Sequence, residues 1–96
     1  MPSVDLTNKS IGDLQIIIHA EITDAGALHV SGQDFGPGAS MVGDETEYIA
    51  SVRKEDKDRL LLALIERLYG GDTHAVRDFY DFARSKGIEA SWFRWP

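Results

Sequence analysis

Between Leu14 and Val52 apolar residues recur at every second position, and from Leu60 onward they recur at every third or fourth. This switch of period constrains the fold more than any other feature, because period two marks a half-buried strand and period 3.6 an amphipathic helix. Leu14, Ile16, Ile18, Ala20 and Ile22 fall on one face, with Gln15, His19, Glu21 and Thr23 on the other and Ile17 as the exception. Asp24-Ala25-Gly26 reads as a three-residue hairpin loop, with glycine at its last position, where φ is positive. The chain returns through Leu28, Val30 and Gly32 inward and His29, Ser31 and Gln33 outward. Residues Asp34–Asp44 hold three glycines and a proline and read as a long loop. Long loops in compact domains tend to carry function. A third strand is expected over Glu45–Val52, with Thr46, Tyr48, Ala50 and Val52 on one face and Glu45, Glu47 and Ser51 on the other.

Leu60, Leu61, Leu64, Ile65 and Leu68 form a helical stripe that Gly70-Gly71 terminates. Asp72 or Thr73 can cap a second helix with the stripe Val76, Phe79, Tyr80 and Ala83. Gly87 stands where a left-handed C-terminal cap belongs, with Ile88 placed to touch the helix behind it. Residues 88–93 alternate again, which predicts a short fourth strand. The expected fold is therefore α+β: a β-β-β-α-α order with a short C-terminal strand. A small antiparallel sheet is covered on one face by two helices in a two-layer sandwich. Residues 1–12 show no clean period and read as a loose N-terminal arm before a single domain spanning 13–96.

Composition narrows function by exclusion. The chain has 96 residues, of which 43% are hydrophobic, enough for one core. It contains no cysteine, which removes disulfides, thiol nucleophiles and thiolate metal sites. Its longest apolar run, Leu60–Ile65, is too short to cross a bilayer. With no signal-peptide pattern over the first residues, the expected location is the cytoplasm. Through Val52 there are eight acids against Lys9 alone, a balance of −7, while the remainder is +1. An acidic half repels phosphate backbones, so a nucleic-acid partner is not expected, whereas a basic protein partner would be attracted. No cofactor and no membrane partner are expected.

Three groups of residues are candidates for chemistry or contact. If the hairpin loop is Asp24–Gly26, Glu21 opposes His29 and His19 opposes Ser31 on the outer face. Two imidazoles and a carboxylate could serve Zn²⁺ or acid–base chemistry, or could simply form an exposed cross-strand pair. These residues, His19, Glu21 and His29, underlie the alternative reading of a small metal-binding or hydrolytic protein. The glycines of the long loop match neither a phosphate-binding nor a dinucleotide motif, and Asp34 and Asp44 bracket them with carboxylates. The C-terminal Trp92, Phe93 and Trp95 with Arg94 are the residue types enriched at interface hot spots. The candidate interface comprises Asp34, Phe35, Asp44, Glu45, Glu47, Trp92, Phe93 and Trp95. A sheet edge or the aromatic tail could also serve a homodimer.

Ser31-Gly32-Gln33-Asp34-Phe35-Gly36, Glu47-Tyr48, the run Leu60–Leu64, Tyr69-Gly70-Gly71-Asp72, Gly87-Ile88 and Trp92-Phe93 occur in an order that resembles a group of small bacterial proteins. In that group a GQDLG-like turn precedes an acidic strand and a leucine-rich helix. This chain has Phe35 where leucine is expected. The resemblance, over about residues 28–95, implies no activity that can be assigned to a residue. Some members look like the small acidic proteins that accompany bacterial toxins. The reading that follows is a non-catalytic protein acting through protein–protein binding to a basic partner, toxin-neutralising or regulatory.

Overall fold

A computed structural model describes residues 2–37 and 45–96. The fold is α+β, with four antiparallel strands followed by two helices. The strands are β1 (Ser3–Ile11), β2 (Leu14–Ile22), β3 (Leu28–Phe35) and β4 (Glu45–Val52), in the order β1-β2-β3-β4. After a 3₁₀ turn at Lys54–Asp56 come α1 (Lys57–Tyr69) and α2 (Ala75–Ser85). The chain forms two compact units, Met1–Asp58 and Arg59–Pro96.

In the strand unit the alternation of the sequence becomes two chemically distinct faces. Pairing sets Ala20 against Val30 and Val30 against Ala50, and Ile22 against Leu28 and Leu28 against Val52. With Leu14, Ile16 and Ile18 these residues make one face apolar. The opposite face carries His19, Glu21, His29, Ser31, Gln33, Glu45, Glu47 and Ser51. The β2–β3 hairpin closes as the sequence predicts: Thr23 N–H donates to the Ala27 carbonyl at 2.8 Å, around Asp24–Gly26. Ala27 N–H returns to Thr23 Oγ1 at 3.1 Å.

The expected loose arm is instead β1, paired with β2 from Ser3↔Glu21 to Ile11↔Leu14. A bulge between Asp5 and Thr7 leaves Leu6 unpaired, so Val4 and Thr7 both fall on the apolar face although their numbers differ in parity. That slip hides the strand from a period-two reading. A two-residue turn, Gly12-Asp13, joins β1 to β2. Positive φ at Gly12 and not at Asp13 is the pattern of a type II′ hairpin.

Two further expectations are corrected. The loop does not begin at Asp34: Asp34 and Phe35 complete β3, paired with Ile16 and Gln15 on one side and Thr46 and Glu45 on the other. Of the rest of that expected loop, Gly36 and Pro37 follow the strand and residues 38–44 lie outside the described residues. The alternation over residues 88–93 does not make a strand. A strand needs a ladder partner, and Trp92 instead sets its ring edge-on to Tyr80, with centroids 5.8 Å apart.

In the helical unit the C-terminus of α2 follows the predicted chemistry, whereas its N-cap residue is His74, which makes no side-chain cap bond. The Asp72 carboxylate accepts the His74 N–H at 2.8 Å just before α2. At the other end Ile88 N–H donates to Ala83 O and Gly87 N–H to Arg84 O, both at 3.0 Å. Those two bonds constitute a Schellman motif. Tyr69 of α1 meets Phe79 of α2 edge-on, with centroids 6.3 Å apart, and Ala83 is buried.

Candidate functional site

On the polar sheet face the register places His19 opposite Ser31 and Glu21 opposite His29, as the hairpin arithmetic predicts. Pairing with β1 adds Asp5 opposite His19 and Ser3 opposite Glu21. The transverse rows are therefore Asp5–His19–Ser31–Ile49 and Ser3–Glu21–His29–Ser51. Asp5 was out of reach of sequence reasoning because its strand carries the bulge. Among the described residues, no three acidic, histidine or cysteine side chains lie close enough together to hold a metal ion.

The candidate acids divide between the two faces. Glu45 and Glu47 are exposed on the polar face, where Gln33 Nε2 donates to Glu45 Oε1 at 3.3 Å. Phe35 shares that face by register. Asp34 lies on the other face, where its Oδ1 accepts the Tyr48 hydroxyl at 2.9 Å. The ring of Tyr48 crosses the strand over Gly32, which opposes it in the ladder. A methyl group on Gly32 would stand 2.7 Å from Cζ of that ring. Hydrogen bonding to Asp34, with lesser contributions from desolvation and the carboxylate's charge, raises the Tyr48 pKa. Asp34 is thus a partner of Tyr48 and does not join Glu45 and Glu47 in one acidic patch. Asp44 lies outside the described residues.

In the helical unit the three aromatic candidates differ in setting. Trp92 packs on Tyr80 and lines a cleft of about 260 Å³ with His74, Arg77 and Arg94. Phe93 and Trp95 stack on each other at 6.3 Å and remain 77% and 79% exposed. Between α1 and α2 runs an apolar groove of about 500 Å³, with Leu61, Leu62, Leu68 and Phe82 among its lining. The leucines were legible as a helical stripe, but Leu62 and Phe82 fall at its margins. The groove arises because α1 carries Leu60, Leu61, Leu62, Leu64 and Ile65 over more than half its circumference.

At the start of α2 the carboxyls of Asp72 and Asp78 shift each other in opposite directions. A hydrogen bond from Asp78, then one from the His74 backbone, lowers the pKa of Asp72. The same side-chain bond raises that of Asp78. Both groups are exposed or half-exposed, so this pair tunes local charge at a helix end rather than forming a buried acid.

In comparisons with protein-family models, curated proteins and solved structures, nothing matches this chain.

Proposed function

We propose that this protein acts by binding another protein and not by catalysis, and that the partner is basic, as for a neutralising or regulatory subunit. The observation that carries this reading is the Phe93–Trp95 stack. Two large aromatic rings at 77% and 79% exposure are held against each other in solvent, which is the form of a preorganised interface anchor. The acidic strand half supports the sign of the partner: exposed Glu45 and Glu47 would speed encounter with a positive surface and make it salt-sensitive.

The test is capture from the source cell with the full chain and with a Phe93→Ala/Trp95→Ala double variant, at low and high salt. The expected result is a specific basic protein, retained at low salt. Its affinity should fall by about 30-fold or more in the variant, since an aromatic anchor is worth about 2 kcal/mol or more. Recovery of no specific protein, or of one that binds both forms equally at both salt concentrations, would refute the reading.

A further inference from the structure

The two outer strands of the sheet are built differently. β1 carries the bulge at Leu6 and a lysine, Lys9, both of which discourage a further strand from pairing. β4 has no proline, glycine or lysine, and it pairs with β3 in unbroken register from Phe35↔Glu45 to Leu28↔Val52. Among the described residues β3 is its one ladder neighbour. Arg53 prolongs the extended backbone by one residue, with φ −64° and ψ 152°. Such a long, regular edge is a template for another strand.

We propose that β4 pairs antiparallel with β4 of a second copy of this chain, about a two-fold axis at Ile49. The charge pattern selects both the partner and the register. Opposed residues in an antiparallel pair share a face, and Glu45, Glu47, Ile49, Ser51 and Arg53 alternate along the polar one. The run has acids at one end and a base at the other, so it is complementary to itself when reversed. Centred on Ile49, Glu45 faces the second copy's Arg53 at both ends, Glu47 faces Ser51, and Ile49 faces Ile49. Centred on Tyr48, Glu45 would face Ser51 and Glu47 would face Ile49, leaving both acids without a cation. Centred on Ala50, Glu47 would face Arg53, but Glu45 would overrun the extended segment and meet another acid, Glu55, in the 3₁₀ turn at Lys54–Asp56.

The side chains that these contacts need are exposed. Ile49 is 54% exposed, and Arg53 is 74% exposed at its side chain. Arg53 binds Asp56 through Nε and Nη2, at 3.1 and 3.0 Å, which leaves the other nitrogen of its fork for a second carboxylate. The two-fold axis stands perpendicular to the sheet, so the pairing yields eight strands with both apolar faces on one side.

Sedimentation at low ionic strength tests the proposal on the full chain. Wild type is expected to show a concentration-dependent monomer–dimer equilibrium that weakens with salt. Glu45→Arg and Arg53→Glu each set like charges opposite at two places and are expected to raise the dimer Kd about tenfold. The double reversal E45R/R53E should return it to within about threefold of wild type. Ile49→Lys, at an exposed position that leaves the monomer fold intact, should abolish the dimer. A wild type that stays monomeric at every concentration overturns the proposal. So do single reversals that leave Kd unchanged, or a double reversal as weak as either single.

Discussion

Gly36 makes the sharpest stability prediction because two independent penalties meet there. Its φ is +123°, a region that L-residues rarely enter. A methyl group at that position would also collide with the backbone carbonyl of Asp13 and stand 3.4 Å from Leu14 Cα. Neither obstacle is a flexible side chain, so the β1–β2 turn itself would have to move. Gly12, in that same turn, provides the internal control. It too has positive φ, +60°, but a methyl group there meets nothing within 4 Å. Gly12→Ala therefore measures backbone strain alone, about 2 kcal/mol. Gly36→Ala should add an overpacking penalty of about 2 kcal/mol, for a loss of about 4 kcal/mol in total.

Urea unfolding followed by far-UV circular dichroism reads the difference. With a slope of about 1.5 kcal/mol/M, the two midpoints should separate by about 1.3 M, Gly36→Ala being the weaker. Tryptophan fluorescence is the wrong probe, since Trp92 and Trp95 both lie in the helical unit and the glycines in the strand unit. Coincident midpoints, or Gly12→Ala as the more damaging change, would refute the argument that the Asp13 carbonyl is what Gly36 accommodates.

Two titrations follow from the hydrogen-bonded pairs. Tyr48 has a raised pKa in the folded chain, so its contribution to stability is complete below the unfolded tyrosine value of about 10 and is lost as pH rises through the folded value. Tyrosinate absorbance should show Tyr48 ionising late, and Asp34→Asn should restore it toward the ordinary tyrosine value; an unchanged titration would count against the bond. For the α2 pair the signs oppose: Asp72, lowered, stabilises above its unfolded value and loses this as pH falls, while Asp78, raised, stabilises below its own and loses this as pH rises. Carboxyl NMR should resolve Asp72 below and Asp78 above ordinary aspartate, and Asp72→Asn should bring Asp78 back down; a pair that titrates together in the wild type would contradict their interaction.

The strands that could be read from sequence were those whose period is unbroken. β2, β3 and β4 alternate over most of their length, and the Asp24–Gly26 loop fixes the register of β2 on β3, so Glu21↔His29 and His19↔Ser31 followed from counting. β1 could not be found that way. Its bulge at Leu6 shifts the parity midway, and a period-two test sees noise where the backbone still pairs. The opposite error occurred over residues 88–93, where alternation exists without a ladder partner. Periodicity says which face a side chain would take if a strand formed; pairing decides whether it forms. The helix ends were more legible because their signals are local: Asp72 and Gly87 act within a few residues of themselves.

The candidate interface was less legible for a related reason. Residue type identified the acids, but only the ladder shows which face each occupies. Asp34 and Glu45 are near neighbours across β3 and β4, yet Asp34 opposes Thr46 while Glu45 opposes Phe35, and the pleat sends them to opposite sides. Asp34 is then occupied by Tyr48, whose ring needs the space that Gly32 leaves. Gly32, Asp34 and Tyr48 thus form one cross-strand unit, and among the described acids of the candidate interface those left to a partner are Glu45 and Glu47. Those two residues sit at one end of the strand whose other end carries Arg53. The same arrangement that offers negative charge to a basic protein therefore makes β4 complementary to itself, and a partner that reached Glu45 would compete with the second copy's Arg53 for it.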